Sequence, residues 1–145
     1  MSAPEAVLRK VRQWLVYADE DLRLARHALT MAIAPPPYRL IAYHAQQCAE
    51  KCLKAYLVLC KVDFPYTHNV AHLLDLCAAQ DAWAETLRDA EELSPFAIAA
   101  RYPGEDEEVT QAEALRAIET ADRVRATVHE AIRNKGVALP LDPTV

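Results

Sequence analysis

Three side chains that commonly bind metal ions follow one another at intervals of four residues. They are His44, Cys48 and Cys52. On an α-helix, residues eight apart are separated by roughly 12 Å along the axis, so His44 and Cys52 cannot both bind one zinc ion at about 2.0–2.3 Å. No Cys-x2-Cys motif accompanies them. The spacing therefore favours small, buried thiols at a close helix contact, and we expect no metal site and no cofactor.

The same segment carries polar side chains between apolar ones. A helical wheel places one apolar set on a single face: Ile41, Ala45, Cys48, Cys52, Ala55, Tyr56 and Leu59. The opposite face carries Tyr43, Gln47, Glu50 and Lys54, flanked by Leu57 and Val58. This pattern predicts a helix whose thiol face lies in the core and whose amide-and-lysine face is presented outward, toward a partner helix or a ligand.

Helical spacing of apolar residues predicts the elements that position this segment. One long amphipathic helix is expected from near Pro4 to before Pro35. A second runs from about Pro37 to Lys61, because a proline fits the first turn of a helix. A short third helix should cover about 69–79, with a capping side chain at its start.

The second half of the chain predicts two further helices. The fourth begins near Asp81, with Trp83, Leu87, Ala90 and Leu93 on its apolar face. Ser94-Pro95 should kink it or start a new helix. The fifth follows the acidic run 105–108 and ends at Gly136, since glycine suits a helix C-terminus. Its apolar stripe is Ala114, Ile118, Ala121, Val124, Val128 and Ile132.

Composition bounds the class of protein. A chain of 145 residues that is 52% hydrophobic, with only 2 glycines, predicts a single all-α domain. The predicted domain covers 1–136, and 137–145 form a loosely ordered tail. The net charge of −5 restricts any nucleic-acid contact to a local patch. Cysteines without a disulfide pattern, and no apolar run of roughly 20 residues, predict a cytoplasmic protein outside the membrane.

Several separated motifs occur in an order that is specific when taken together. They are Ala18-Asp19-Glu20-Asp21-Leu22 with Ala25, the run from His44 to Ala55, Thr67-His68-Asn69-Val70 with Leu73-Leu74, and Leu93-Ser94-Pro95-Phe96 with Arg101-Tyr102-Pro103-Gly104-Glu105. Over about residues 10–133 the chain resembles the HEPN domain, a small helical module named for presumed nucleotide binding. The segment with the cysteines resembles the signature helix of that family, which commonly has alanine at those positions.

The resemblance implies an up-and-down bundle of four to five antiparallel helices. It also implies a homodimer that pairs with a minimal nucleotidyltransferase, as in toxin–antitoxin modules. We expect contact with a nucleotide or RNA at Lys54, His68, Arg101 and Tyr102, which supply cations and an aromatic face. Gln47, Glu50 and Lys51 are the expected neighbours of that site. Two alternatives stay open: Arg101 and Tyr102 only hold the end of the fourth helix, with Arg101 paired to Glu50, and His68 only makes hydrogen bonds at a helix start.

Catalytic residues cannot be assigned from the sequence. RNA-cleaving HEPN proteins resemble one another in a late Arg-x4–6-His motif, and no histidine follows Arg101 at that distance. Arg39 with His44 and Arg123 with His129 fit the bare spacing, but about one chance match is expected. The first hypothesis is therefore a binding module. A metal-independent ribonuclease toxin and a non-catalytic protein-interaction regulator are the alternatives.

Overall fold

Four α-helices and one 3₁₀ segment account for most of residues 3–32, 34–97 and 108–140, which are the residues described by the structure, a computed structural model. The elements are α1 (Glu5–Thr30), α2 (Tyr38–Leu59), α3 (Val70–Ala78), the 3₁₀ segment (Ala82–Ala97) and α4 (Gln111–Asn134). No strand occurs within these ranges. The predicted all-α, up-and-down bundle is confirmed.

Helix α2 is the centre of the bundle. It packs between α1 and α4 and also contacts α3 and the 3₁₀ segment. Its predicted thiol face is buried, including Cys48 and Cys52. The hydrogen bond with Cys52, followed by burial, raises the pKa of the Cys48 thiol well above its usual value. Burial likewise raises the pKa of Cys77 to about 12, so these thiols stay protonated and behave as small apolar side chains.

The opposite face of α2 differs from the prediction. Gln47, Glu50 and Lys54 are buried, as is Gln46, so the expectation of an outward amide-and-lysine face was wrong. The physical reason is that neighbours surround α2 on nearly all sides and the polar groups satisfy one another there. Buried polar groups are tolerated when each has a hydrogen-bond partner.

Local capping fixes the ends of α3 and α4. The Asn69 side chain accepts a hydrogen bond from the His72 backbone N–H at 3.2 Å, which caps α3. Thr110 and Glu113 form a reciprocal capping box at the start of α4. The acidic run lies outside the described residues except for Glu108. Gly136, at φ +87°, ends the α4 turn as predicted, in a left-handed conformation that glycine adopts without strain.

The segment Ala82–Ala97 adopts a 3₁₀ conformation instead of the predicted α-helix. Its break lies at Leu87, with φ −109° and ψ 17°, and not at Ser94-Pro95. The buried residues recur at intervals of three: Ala84, Leu87, Ala90 and Leu93. Because a 3₁₀ helix has 3.0 residues per turn, a spacing of three keeps the buried residues on the core side of the segment, on both sides of the break at Leu87. The predicted Trp83 is only half-buried.

The first residues after α4 are packed against it. Val137 is buried, and the Arg133 guanidinium donates a hydrogen bond to the Pro140 carbonyl at 2.8 Å. These residues begin the segment for which the sequence predicts a loosely ordered tail. Residues 141–145 lie outside the described residues.

Candidate functional site

A carboxylate holds together the polar residues of the buried face of α2. Glu50 Oε2 accepts a hydrogen bond from Lys54 Nζ at 2.9 Å, one helical turn away. Glu50 Oε1 lies 2.7 Å from His68 Nδ1, which comes from the segment between α2 and α3. The carboxylate therefore joins a buried ammonium group to an imidazole. We call Lys54, Glu50 and His68 the Glu50 triad.

Two glutamine side chains complete the hydrogen bonding of this triad. Gln46 Nε2 donates to Glu50 Oε1 and to the His68 carbonyl, both at 3.2 Å. Gln47 Nε2 donates to Gln46 Oε1 at 2.7 Å. The amides thus fix the position of the carboxylate and of the backbone that carries His68. Sequence reasoning singled out Gln47 but missed Gln46, although its position four residues before Glu50 was an available signal.

Three aromatic rings surround the ammonium group of Lys54. Its Nζ lies 5.5 Å from the ring centre of Trp14, 5.7 Å from Phe64 and 5.9 Å from Tyr66. Such distances are within the range of cation–π attraction. The rings were missed because Trp14 lies far away in the sequence. Phe64 and Tyr66 offered a closer signal, since they lie four and two residues before His68.

The site reaches the surface through two rings. The His68 side chain is 43% exposed, and Tyr66 is 91% exposed. Their ring centres are 5.4 Å apart in an edge-to-face arrangement. Because Nδ1 of His68 faces Glu50, Nε2 is the ring nitrogen that can meet a ligand. The arrangement offers a stacking face and a hydrogen-bonding group above a buried cation.

Lys51 belongs to a different group. Its Nζ donates to Asp21 Oδ2 at 2.6 Å, and His44 Nδ1 lies 2.8 Å from Asp21 Oδ1. We call Asp21, His44 and Lys51 the Asp21 triad; it joins α1 to α2. Nearby, Arg125 Nε donates to Asp19 Oδ1 at 2.7 Å and joins α4 to α1. The structure therefore brings Lys54, Glu50 and His68 together but places Lys51 elsewhere.

The remaining predicted site residues, Arg101 and Tyr102, lie outside the described residues. One alternative left open by the sequence is that Arg101 pairs with Glu50. In the structure, the Glu50 carboxylate contacts Lys54 and His68.

The two arginine–histidine spacings considered for RNA cleavage do not form a common site. His129 is buried in the bundle, whereas Arg123, on the same helix, is half-exposed and pairs with Asp89. Residues six apart on a helix point about 120° away from each other. Arg39 and His44 are five apart on α2, so they point about 140° away from each other, and His44 pairs with Asp21. Neither spacing therefore supports a catalytic pair.

Among residues 3–32, 34–97 and 108–140, no group of three or more His, Cys, Asp or Glu side chains could hold a metal ion. No helix among them is both long and apolar enough to cross a bilayer.

The protein is an all-helical bundle whose central helix carries a buried carboxylate between a lysine and a histidine. The HEPN domain family model matches residues 11–132, which is most of the chain. The protein therefore belongs to the HEPN domain family.

Two solved structures are similar to the chain. The first is the crystal structure of ST0689, an archaeal HEPN homologue, with 27% sequence identity and a TM-score of 0.67; the match covers 84% of this chain and 97% of that one. The second is the crystal structure of TT1696 from Thermus thermophilus, with 29% identity and a TM-score of 0.66, covering 83% of this chain and 97% of the other. No curated protein matches the chain.

Proposed function

We propose that this HEPN-domain protein binds a nucleotide or RNA at the exposed end of the Glu50 triad. The observation that carries the proposal is the ring pair Tyr66–His68, which stands at the surface directly beside the buried Lys54–Glu50 ion pair. Bases stack on exposed aromatic rings, and imidazole can donate a hydrogen bond to phosphate.

The buried part of the site gives the surface part its rigidity. Glu50 and Gln46 hold His68 by its ring and by its carbonyl, so little conformational freedom is lost when a ligand contacts the imidazole. The Lys54 ammonium, whose charge is balanced by Glu50, lies within cation–π distance of the Tyr66 ring. Since the chain as a whole carries a formal net charge of −5, binding should depend on stacking more than on phosphate contacts.

The family supports a wider role for this binding. We propose that the single domain, residues 1–136, acts as a homodimer together with a minimal nucleotidyltransferase in a toxin–antitoxin-like module. Its four cysteines, which lack the spacing of a disulfide scaffold, support a cytoplasmic location. The proposed binding residues are Gln47, Glu50, Lys51, Lys54, His68, Arg101 and Tyr102, with Tyr66 added. Within this set the Glu50 triad is central, whereas Lys51 is paired with Asp21 and lies apart from that triad.

The test is a titration of purified protein with ATP and with a fluorescent single-stranded RNA, by calorimetry and anisotropy. Tyr66→Ala and His68→Ala should each weaken binding about tenfold or more, because stacking contributes roughly 1–3 kcal/mol per base. The matched control is His72→Ala, an exposed histidine on α3. Unchanged affinity in both site variants would overturn the proposal.

The same RNA samples test the ribonuclease alternative. Intact RNA after incubation with the wild type supports a binding module. Cleavage that is lost in Arg101→Ala or Arg123→Ala would instead favour an enzyme.

A further inference from the structure

Exposed apolar side chains are concentrated on α1 and the chain that follows it. Among the described residues, seven large hydrophobic side chains are exposed, and five of them lie on α1, directly after it, or in the first turn of α2. These five are Val16, Tyr17, Leu24, Met31 and Leu40. Scattered single apolar residues are ordinary on a protein surface, whereas a concentration on one helix indicates an interface.

Three of these residues form a regular row. Tyr17, Leu24 and Met31 are spaced by seven, so they follow one line along the outer face of α1, which we call the outer stripe. The row is roughly 21 Å long. The opposite face of α1 is packed in the core. Gln13 Nε2 donates a hydrogen bond to the Tyr17 hydroxyl at 3.0 Å, which holds that ring along the helix.

The outer stripe is complementary to itself. A two-fold axis through Leu24, perpendicular to the helix, would pair Leu24 with its own copy and Tyr17 with Met31 of the second molecule. Two-fold interfaces require this reciprocity, and a methionine sulfur packs favourably against an aromatic ring.

Charge also selects the antiparallel arrangement. With the axis at Leu24, Glu20 of one molecule falls within one residue of the position opposite His27 of the other, and a carboxylate accepts a hydrogen bond from an imidazole. A parallel pairing would instead place Glu20 against Glu20, and like charges in contact repel. Both side chains are exposed on α1.

We propose that the outer stripe binds a second copy of this chain, with the two α1 helices antiparallel and crossing at Leu24. Val16, on the same helix, and Leu40, in the first turn of α2, are further exposed apolar side chains. The inference rests on the homodimer of the proposed function and names the face that forms it.

Sedimentation equilibrium tests the face with a matched pair of variants. Leu24→Glu should raise the dimer dissociation constant at least tenfold, because two carboxylates would meet at the axis. Leu115→Glu on α4 is the control, since Leu115 is 41% exposed and Leu24 is 49% exposed. A wild type that stays monomeric would overturn the homodimer itself. A dimer that is equally stable in Leu24→Glu would overturn only the proposed face.

Disulfide cross-linking tests the direction of the helices. In a Cys60→Ser background, Leu24→Cys should form a covalent dimer when oxidised with diamide, whereas Tyr17→Cys alone should not. A mixture of Tyr17→Cys and Met31→Cys should form the mixed dimer. Efficient cross-linking of Tyr17→Cys to its own copy would indicate parallel helices and contradict the proposal.

Discussion

The Glu50 triad and the Asp21 triad contain the same three kinds of group in different surroundings. Each has a carboxylate, an imidazole and an ammonium group. In each, one carboxylate contacts a histidine Nδ1 through one oxygen and a lysine Nζ through the other. The four distances range from 2.6 to 2.9 Å. Geometry alone would therefore assign both groups the same role.

Exposure separates the two triads. The Lys54 side chain is 5% exposed, whereas Lys51 is 23% exposed. In the Glu50 triad the ion pair is buried and only the imidazole reaches the surface. In the Asp21 triad both charged partners retain contact with water. The buried ion pair of the Glu50 triad therefore supports a surface histidine, whereas the partly hydrated pair of the Asp21 triad mainly joins two helices.

The largest expected effect on stability comes from adding an unpaired charge to the buried thiol face of α2. Cys48→Asp would place a carboxylate on the buried thiol face, where Asp19 and Asp21 are the charges that act on position 48. An unpaired buried charge costs several kcal/mol, so we expect a loss of about 4 kcal/mol or more in the free energy of unfolding, measured with urea.

The control for this variant is Cys48→Ala. It keeps a small apolar side chain and should cost less than about 1.5 kcal/mol. Similar losses in the two variants would show that position 48 responds to side-chain shape and not to charge. The ion pair with Lys54 would then not be what allows the Glu50 carboxylate to be buried in the bundle.

The next largest effect is expected from removing the carboxylate that pairs with Lys54 in the Glu50 triad. Glu50→Ala leaves the Lys54 ammonium buried beside aromatic rings without its carboxylate. Removing one member of a buried ion pair costs roughly 3–5 kcal/mol, which urea unfolding would detect.

A double variant distinguishes the loss of attraction between Glu50 and Lys54 from the cost of leaving the Lys54 charge buried without a partner. Glu50→Gln combined with Lys54→Met removes both charges, keeps an amide for Gln46 and His68, and should recover most of the stability lost in Glu50→Ala. If the double variant is as unstable as Glu50→Ala, the loss does not arise from an unpaired lysine.

The apolar part of the fold could be predicted from the sequence because it follows local periodicity. Val11, Leu22, Val124 and Ile132 recur at helical spacing and are all buried. The 3₁₀ segment was missed because Leu87 and its neighbours satisfy a period of three and were assigned to a helix with a period of 3.6.

The candidate site was only partly predictable for a different reason. Lys54, Glu50 and His68 were identified from a resemblance of motifs, but the burial of Glu50 and Lys54 was not. A polar side chain can enter a core only when partners from other segments meet it there, and sequence spacing does not show that Trp14 and Gln46 lie beside these groups.

The smallest expected effect concerns the Asp21 triad. Asp21→Ala releases Lys51 and His44, but both side chains can turn toward water, so we expect a loss of about 1 kcal/mol, close to the upper end for exposed ion pairs. Urea unfolding at low and high NaCl concentrations measures it. Because salt screens hydrated charges more than buried ones, the Asp21→Ala loss should shrink in high salt while the Glu50→Ala loss persists. Asp122→Ala is the control, since its pairing with Arg26 joins α1 to α4 at a more exposed position and should contribute less. A loss for Asp21→Ala as large and as independent of salt as that for Glu50→Ala would mean that exposure does not separate the two triads, and the assignment of only one of them to a ligand site would lose its physical basis.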